Sequence, residues 1–501
     1  MCGLAGIWGT ADESAVRAMM DLQRHRGPDE AGVYVAPGAA GVLGHRRLSI
    51  VDPEGGGQPL RSVDGRRAVI VNGEVYNSPE LRPDLEAEHT IRTGSDSEVV
   101  LHLYEDAGRA VAAGLDGMYA FAVANEDELV VARDPIGIKP LFLGQCGEAL
   151  AFASEIKALA PVCSRVESLP PGTVWSSRTG SCTFYELPDP EPEERPVDEW
   201  CELLRAGMDT SVAKHTMADV PVGAFLSGGL DSSALAALLQ CHTGELHTFA
   251  VGMEDSGDLA AARIVARHLG TIHHEHVMTR EEIEEELPRI IWHLESFDQD
   301  LVRSAIPTYF CARLAREHVT VVLTGEGADE LFAGYSYHKA IGDEEALHRE
   351  LRRSVSALHD VNLQRVDRMT MAHSLEARPP FLDTAFIDLA LRVPMRLKLA
   401  AGAVKDEKWI LRKAFEDLLP HEIVWRKKAQ FDEGSGMPEI MAGLAAERVP
   451  EAAAREHVQA NPQAGLRSAE EALYHRTLLE VFDHPEPILA NVARWLDRPD
   501  T

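Results

Sequence analysis

Val220-Pro221-Val222-Gly223-Ala224-Phe225-Leu226-Ser227-Gly228-Gly229-Leu230-Asp231-Ser232-Ser233 is the stretch that decides the fold of the second half of this chain. Val220 to Leu226 is an apolar run of strand length, Ser227 to Ser233 is a glycine loop, and Ala234 onward carries a helical pattern. Strand, loop, helix in that order points backbone N–H groups and a positive helix end at one spot, which suits an anion such as pyrophosphate. Further on, His247 to Val251 reads as a strand. Asp258 to Leu269 reads as a helix with Leu259, Ile264, Val265 and Leu269 on one face and Gly270 as its stop. Thr271 to Val277 and Val319 to Leu323 are again strand-like, and the latter leads into Thr324-Gly325-Glu326-Gly327-Ala328-Asp329. Alternating β and α segments predict a parallel sheet covered by helices. Residues past about 385 read as mostly helical.

The first half has a different texture. Short runs rich in Val, Ile, Leu and Phe are broken by turn clusters, as in Arg67 to Val71 before Asn72-Gly73 and Glu128 to Ala132 before Arg133-Asp134-Pro135. This predicts strands with a few helices. Pro188-Asp189-Pro190-Glu191-Pro192-Glu193-Glu194-Arg195-Pro196 mixes proline with acid and lacks apolar periodicity, so it reads as a linker. The expected domains are 1–190 and 191–501, in keeping with 501 residues being too many for one ordinary core.

Composition excludes several classes. A hydrophobic fraction of 45%, with glycine and proline spread along the chain, fits a globular protein. Lys plus Arg number 49 against 80 Asp plus Glu, and a net charge of −31 repels a phosphate backbone, so no nucleic-acid partner is expected. The cysteines at 2, 146, 163, 182, 201, 241 and 311 form no CxxC pair and no disulfide framework, as expected of a cytoplasmic protein. No basic n-region opens the sequence and no run of about 18 apolar residues interrupts it, so neither export nor membrane insertion is expected.

Cys2 becomes the first residue if Met1 is removed, and an α-amine of intrinsic pKa near about 8 can then activate the adjacent thiol. Around it, MCGLAGIWG, Arg24-His25-Arg26-Gly27-Pro28-Asp29, Gly44-His45-Arg46-Arg47-Leu48-Ser49-Ile50, Asn72-Gly73-Glu74-Val75-Tyr76-Asn77 and Gly94-Ser95-Asp96 occur in order. Together they resemble the class II glutamine amidotransferase domain, an N-terminal-nucleophile αββα sandwich. The resemblance implies that Cys2 attacks the glutamine amide while the Asn72 side chain and Gly73 N–H hold the oxyanion. It further implies that Arg47 pairs with the glutamine α-carboxylate and that Glu74 and Asp96 hold its α-ammonium. For Arg26 and Asp29, a local ion pair and direct substrate contact both stand.

Ser227-Gly228-Gly229-Leu230-Asp231-Ser232 resembles the PP-loop of ATP pyrophosphatases, which cleave ATP to AMP and pyrophosphate; a Walker A loop would need a lysine after its last glycine. Thr324 to Tyr335, Glu376-Ala377-Arg378-Pro379-Pro380-Phe381-Leu382-Asp383 and Trp425-Arg426-Lys427-Lys428 resemble the glutamine-hydrolysing asparagine synthetase family. That likeness spans residues 2 to about 435. It implies an α/β PP-loop ATP pyrophosphatase domain with a helical C-terminal part, a homodimer, and an ammonia tunnel between two sites. It also implies ATP contacts from Leu226, Ser227, Gly228, Gly229, Asp231, Ser232, Val251, Thr324, Gly325 and Lys428. Asp231 and Asp329 would ligate Mg²⁺, as hard oxygen donors do. Glu326 would be the general base toward ammonia's adduct. Lys428 would stabilise phosphate charge, with Lys427 as the adjacent competitor. For Val251 and Met253, adenine contact and core packing both stand.

The acceptor is expected from Asp300, Arg303, Arg378 and Asp383. Where known members carry two threonines before an arginine, this chain reads Asp298-Gln299-Asp300-Leu301-Val302-Arg303. Aspartate is the expected acceptor, with amidation of a different carboxylic acid as the alternative. β-Lactam synthetase relatives usually lack the N-terminal cysteine, so Cys2 argues against that branch. A regulatory protein with a dead ATP site is disfavoured by Asp231, Glu326, Asp329 and Lys428 together. His274 and His276 share a strand face beside His273, yet no third ligand follows at a recognisable spacing, so no metal is expected there.

Overall fold

A computed structural model describes residues 2–400, 406–427 and 434–494. Twelve strands build the amino-terminal half: β1 (Gly3–Trp8), β2 (Glu30–Val35), β3 (Gly41–Arg47), β4 (Leu60–Arg61), β5 (Ala68–Val75), β6 (Gly117–Ala124), β7 (Leu129–Arg133), β8 (Phe142–Cys146), β9 (Ala149–Ala153), β10 (Arg165–Ser168), β11 (Thr173–Ser176) and β12 (Gly180–Thr183). They form two antiparallel sheets, ordered β10-β8-β9-β1-β3-β2 and β12-β11-β7-β6-β5-β4. Helix α1 (Glu13–Leu22) covers the first sheet. Helices α2 (Ser78–Glu88) and α3 (Glu98–Ala107) lie on the outer side of the second, giving the expected αββα sandwich.

Strand alternation sorts the side chains between two cores. On β6, Tyr119, Phe121 and Val123 face the layer with α3, while Ala120, Ala122 and Ala124 face the opposite sheet. Small residues on the inter-sheet face let Leu4, Leu43, Ile70 and Phe152 fill the space between the sheets. On β5 the same parity places Ala68 and Ile70 in that inter-sheet layer, and Asn72 follows on the same face. Asn72-Gly73, expected as a turn, therefore lies inside β5, paired with Ala120 and Tyr119 of β6. Gly73 has φ +140°, and a Cβ there would lie 1.9 Å from the Met118 carbonyl oxygen. The glycine is needed for close strand approach and not for a turn.

β12 ends at Thr183, residues 184–196 have no regular secondary structure, and α5 (Val197–His215) opens the second half. There, β13 (Val222–Phe225), β14 (His247–Gly252), β15 (Ile272–Val277), β16 (Val321–Leu323) and β17 (Glu376–Arg378) form a parallel sheet ordered β15-β14-β13-β16-β17. Helix α4 (Ile156–Leu159) belongs to the first half, between β9 and β10, and the chain between β13 and β17 supplies α6 (Leu230–His242), α7 (Gly257–Leu269), α8 (Arg280–Leu294), α9 (Gln299–Arg316), α10 (Ala328–Leu331), α11 (Glu344–Ala357) and α12 (Asn362–Met371). Helix α7 ends at Gly270 in the left-handed conformation, as its sequence predicts, but its buried face is Leu259, Ala261, Ala262, Val265 and Ala266. Ile264 and Leu269 are only half-buried, because alanines bring α7 closest to its neighbours. Helix α6 begins at Leu230, four residues before the expected Ala234, since Gly229 is its N-cap residue and Asp231 and Ser232 belong to its first turn. Among the described residues no helix is long and apolar enough to cross a membrane.

Candidate active site

Two constellations converge, one in each half. In the first, the Cys2 backbone nitrogen donates to Asn72 Oδ1 at 2.8 Å, across the layer between β1 and β5. That bond leaves Asn72 Nδ2 buried without a partner among the described residues, next to the strained Gly73. An orphan amide N–H beside a backbone N–H is the donor set an oxyanion needs. Burial pushes the Cys2 thiol up, so attack by this sulfur needs a base beside it.

Glu74 follows on the same strand, buried, with Oε1 3.3 Å from Arg378 Nη2 and Oε2 lacking a partner. Burial, reinforced by Glu376 and Asp96, raises its carboxyl well above the usual range despite Arg378. Asp96 is raised too, by burial first, while it accepts from the Val75 N–H at 2.7 Å. Two under-compensated carboxyls leave room for one more cation, as an α-ammonium would supply. Arg47 bonds Glu30 Oε1 at 3.0 Å and the carbonyls of Val51, Asp52 and Pro53, so it orders that loop. Arg26 and Asp29 divide: Arg26 is fully buried and donates to the Cys2 carbonyl at 3.0 Å, whereas Asp29 accepts from the Ser49 N–H.

In the second half a cavity of about 220 Å³ opens at the carboxyl ends of β13, β14 and β16. Leu226, Ser227, Gly229, Asp231, Ser232, Val251, Thr324, Gly325, Glu326 and Asp329 all line it. The loop is braced from within: Ser227 Oγ lies 3.1 Å from Ser232 Oγ and accepts from the Gly229 N–H. Gly228 does not line the cavity; it has φ +70°, and a Cβ would strike the Ala261 backbone of α7 at 2.4 Å. Its role is to seat the loop. Val251 faces the cavity, but Met253 packs against Gly436 instead. Lys427 lines the cavity, and Lys428 lies outside the described residues.

Asp231 Oδ2 and Asp329 Oδ1 converge on Lys408 Nζ at 2.5 and 2.7 Å. Paired carboxylates beside a phosphate-type loop are a donor set that fits Mg²⁺. Lys408 has no sequence signal: it comes from a segment 177 residues beyond Asp231. Gly334 makes room, since a Cβ there would lie 1.8 Å from Asp329 Oδ1. Arg365 of α12 binds Glu326 and orients it. Glu330, also on the wall, is pushed up to about 7 by burial first and Asp329 second.

Of the four residues expected to meet the acceptor, one lines the cavity. Asp300 lines the cavity with Leu301, Ser304 and Thr308. Arg303, one helical face away, makes a bidentate pair with Glu470 at 2.8 and 2.7 Å and ties α9 to helix Ala469–Val481. Arg378 is fully buried between the halves, bonded to Glu376, Glu74 and the carbonyls of His215 and Met217. Asp383 caps the helix Thr384–Arg392 and accepts from Lys214. Each is engaged elsewhere, although Arg378 Nη2 keeps only its ion pair with Glu74, and none lines the cavity.

The two constellations are joined through α12. Asp367 makes a bidentate pair with Arg26, at 2.7 and 3.1 Å, and Arg26 touches Cys2. Two residues earlier, Arg365 holds Glu326. Arg368 binds the Ser154 carbonyl, Glu155 and Glu295.

Comparison with known proteins agrees with this two-part arrangement. Residues 1–175 match the glutamine amidotransferase domain family, and residues 203–342 and 339–495 match the asparagine synthase family. Asparagine synthetase [glutamine-hydrolyzing] 2 of Oryza sativa subsp. japonica is 38% identical over 96% of this chain and 85% of its own. The probable asparagine synthetase [glutamine-hydrolyzing] of Schizosaccharomyces pombe is 37% identical, covering 100% of this chain and 96% of its own. Asparagine synthetase B [glutamine-hydrolyzing] of Escherichia coli is 37% identical over 97% and 92%. Among solved structures, a glutamine phosphoribosylpyrophosphate amidotransferase from B. subtilis is 24% identical with a TM-score of 0.33, covering 51% of this chain and 67% of its own. Matched in both halves and along nearly its whole length, the chain belongs to the glutamine-hydrolysing asparagine synthetase family.

Proposed function

We propose that this chain converts L-aspartate, L-glutamine and ATP to L-asparagine, L-glutamate, AMP and pyrophosphate. Once Met1 is removed, Cys2 attacks the glutamine amide with its own α-amine as base, and Asn72 Nδ2 and the Gly73 N–H take the oxyanion. Glu74 and Asp96 receive the α-ammonium, and Arg47 the α-carboxylate. Water then releases glutamate, and the ammonia passes to the second site. There the loop Leu226 to Ser232, with Val251, Thr324 and Gly325, holds ATP, and Asp300 with its neighbours on α9 faces the aspartate. Asp231 and Asp329 would hold Mg²⁺, which when bound would supply charge neutralisation on the phosphates. The aspartate side-chain carboxylate attacks the α-phosphorus and expels pyrophosphate. Ammonia displaces AMP from the acyl carbon while Glu326 accepts a proton from the adduct.

The observation that carries this reading is α12, which reaches Cys2 through Asp367 and Arg26 and reaches Glu326 through Arg365. A shared brace suits two reactions that hand over one neutral, easily lost intermediate. We further place the enzyme in a reducing cytoplasm, as seven unpaired cysteines suit, and as a homodimer, to be checked by sedimentation. The deciding experiment is pyrophosphate release with ATP, Mg²⁺ and glutamine, comparing aspartate, glutamate and no acceptor. Aspartate-dependent pyrophosphate with equimolar AMP and asparagine is the expected result. Glutamine hydrolysis without aspartate-dependent pyrophosphate refutes aspartate as the acceptor and directs attention to Asp300 and Leu301.

A further inference from the structure

His247 opens β14, and in the parallel register Phe249 of β14 lies beside His274 of β15. Because side chains alternate along a strand, His247, Phe249 and His274 share one face of the sheet. His318, in the turn between α9 and β16, lies over that face and stacks on His274 with ring centroids 3.8 Å apart. His247 Nδ1 is 2.9 Å from His274 Nε2. One ring nitrogen from each of the three histidines falls within 4.8 Å of the others. His273 and His276, the neighbours that the sequence groups with His274, go elsewhere: His273 to Thr248 and Glu275, His276 to Phe310 and Glu282.

One His–His hydrogen bond joins His247 to His274, and stacking of His318 on both rings and on Phe249 brings a third ring nitrogen beside that pair. We infer that His247, His274 and His318 form a three-imidazole site for a divalent transition metal of the Zn²⁺ type, separate from the ATP cavity. Zinc–nitrogen bonds of about 2.0–2.1 Å in a tetrahedron hold ligand atoms roughly 3.4 Å apart, so metal binding turns His318 out of its stack on His274 and draws together the three nitrogens, which already lie within 4.8 Å of one another. His318 is exposed, so the fourth position opens to water. Imidazole suits zinc, nickel and copper over Mg²⁺, so this site and the Asp231–Asp329 pair select different ions. The cluster sits at the amino end of β14 and before β16, whereas the ATP loop follows the carboxyl end of β13, so its metal clamps the α9–β16 turn to the sheet instead of taking part in the chemistry. The other histidine group, His89 and His102 with Glu105, is already engaged in ion pairs with Glu98, Glu105 and Asp106.

The test uses the tag-free full-length chain, Zn²⁺ as the probe and a chromophoric chelator as competitor, with thermal melts alongside. One retained equivalent of Zn²⁺ that raises the melting temperature is expected. His318→Asn, in the exposed turn, and His274→Gln should each weaken it roughly ten-fold or more, since even outer-shell changes cost that much. His276→Asn, on the same strand but outside the triad, should retain it. Asparagine synthesis by H318N with Mg²⁺ should match the parent. No retained Zn²⁺ in the parent, retention unchanged in H318N and H274Q, or equal loss in H276N overturns the assignment.

Discussion

Replacing Asp367 by Asn tests whether the buried brace on α12 positions the glutaminase nucleophile. Asp367 is 3% exposed and Arg26 fully buried. Burial alone would lower the Arg26 pKa, yet Asp367 and Glu155 raise it, so the pair is favourable in place. Glu155 is already shared with His25, Lys157 and Arg368. Asparagine keeps the volume but deletes a charge, leaving Arg26, Lys157 and Arg368 to share Glu155 and Glu295. Breaking a buried pair by removing one partner costs about 3–5 kcal/mol; because Arg26 keeps Glu155, we expect ~3 kcal/mol. For domains of this size that is a melting-temperature drop of roughly 6–12 °C. Arg26 Nε also holds the Cys2 carbonyl. A displacement there on the order of 1 Å should lower kcat/KM for glutamine by about 100-fold. Ammonium-dependent asparagine synthesis should fall far less, because Asp367 does not line the ATP cavity. The assay compares glutamate release, asparagine formation from glutamine and from ammonium, and thermal melts. An unchanged melting temperature with kcat/KM for glutamine within about two-fold of the parent would falsify the positioning role.

Cys2→Ala should abolish glutamate release from glutamine and spare asparagine formation from ammonium; loss of both activities removes the two-site reading. Gly73→Ala places a Cβ 1.9 Å from the Met118 carbonyl at φ +140°, so overpacking of about 1–3 kcal/mol or more should accompany loss of glutaminase activity, and a soluble, fully active variant contradicts it. Glu330 carries a native-state pKa of about 7 against an ordinary 4.5, raised by burial and then by Asp329. A carboxyl raised on folding binds more protons in the native state, so stability is lost as pH rises from about 4.5 to 7, by up to about 3 kcal/mol. Glu330→Gln should therefore be stabilised relative to the parent at pH 8 but not at pH 4.5, read from urea midpoints; an equal difference at both values refutes the shift.

The PP-loop, the Thr324–Asp329 loop and the Asn72-Gly73-Glu74 run were legible in the sequence because each is a local device whose residues act within one turn or strand. Their β and α context followed from periodicity, and so did the parallel sheet. Boundaries moved where tertiary contact overrode local signal: Gly229 starts α6 early, and Asn72-Gly73 is strand because β6 pairs with it along its length. Arg303, Arg378 and Asp383 looked like acceptor ligands because charge type and position are visible in a sequence while the partner is not. Glu470, Glu74 and Lys214 claim them in the fold.

What only the tertiary structure decided are the pairings between distant segments: Lys408 on Asp231 and Asp329, Arg26 on Asp367, Arg365 on Glu326, and His318 over His247 and His274. No periodicity or turn chemistry encodes such meetings, because they depend on which faces of separate helices and strands come to pack together. The sequence by itself determined which chemistry the chain carries, through glycines, a cysteine and carboxylates at fixed local spacing. The fold determined which charges those groups meet, because burial makes an unpaired ionised side chain costly and packing decides which partner is within reach.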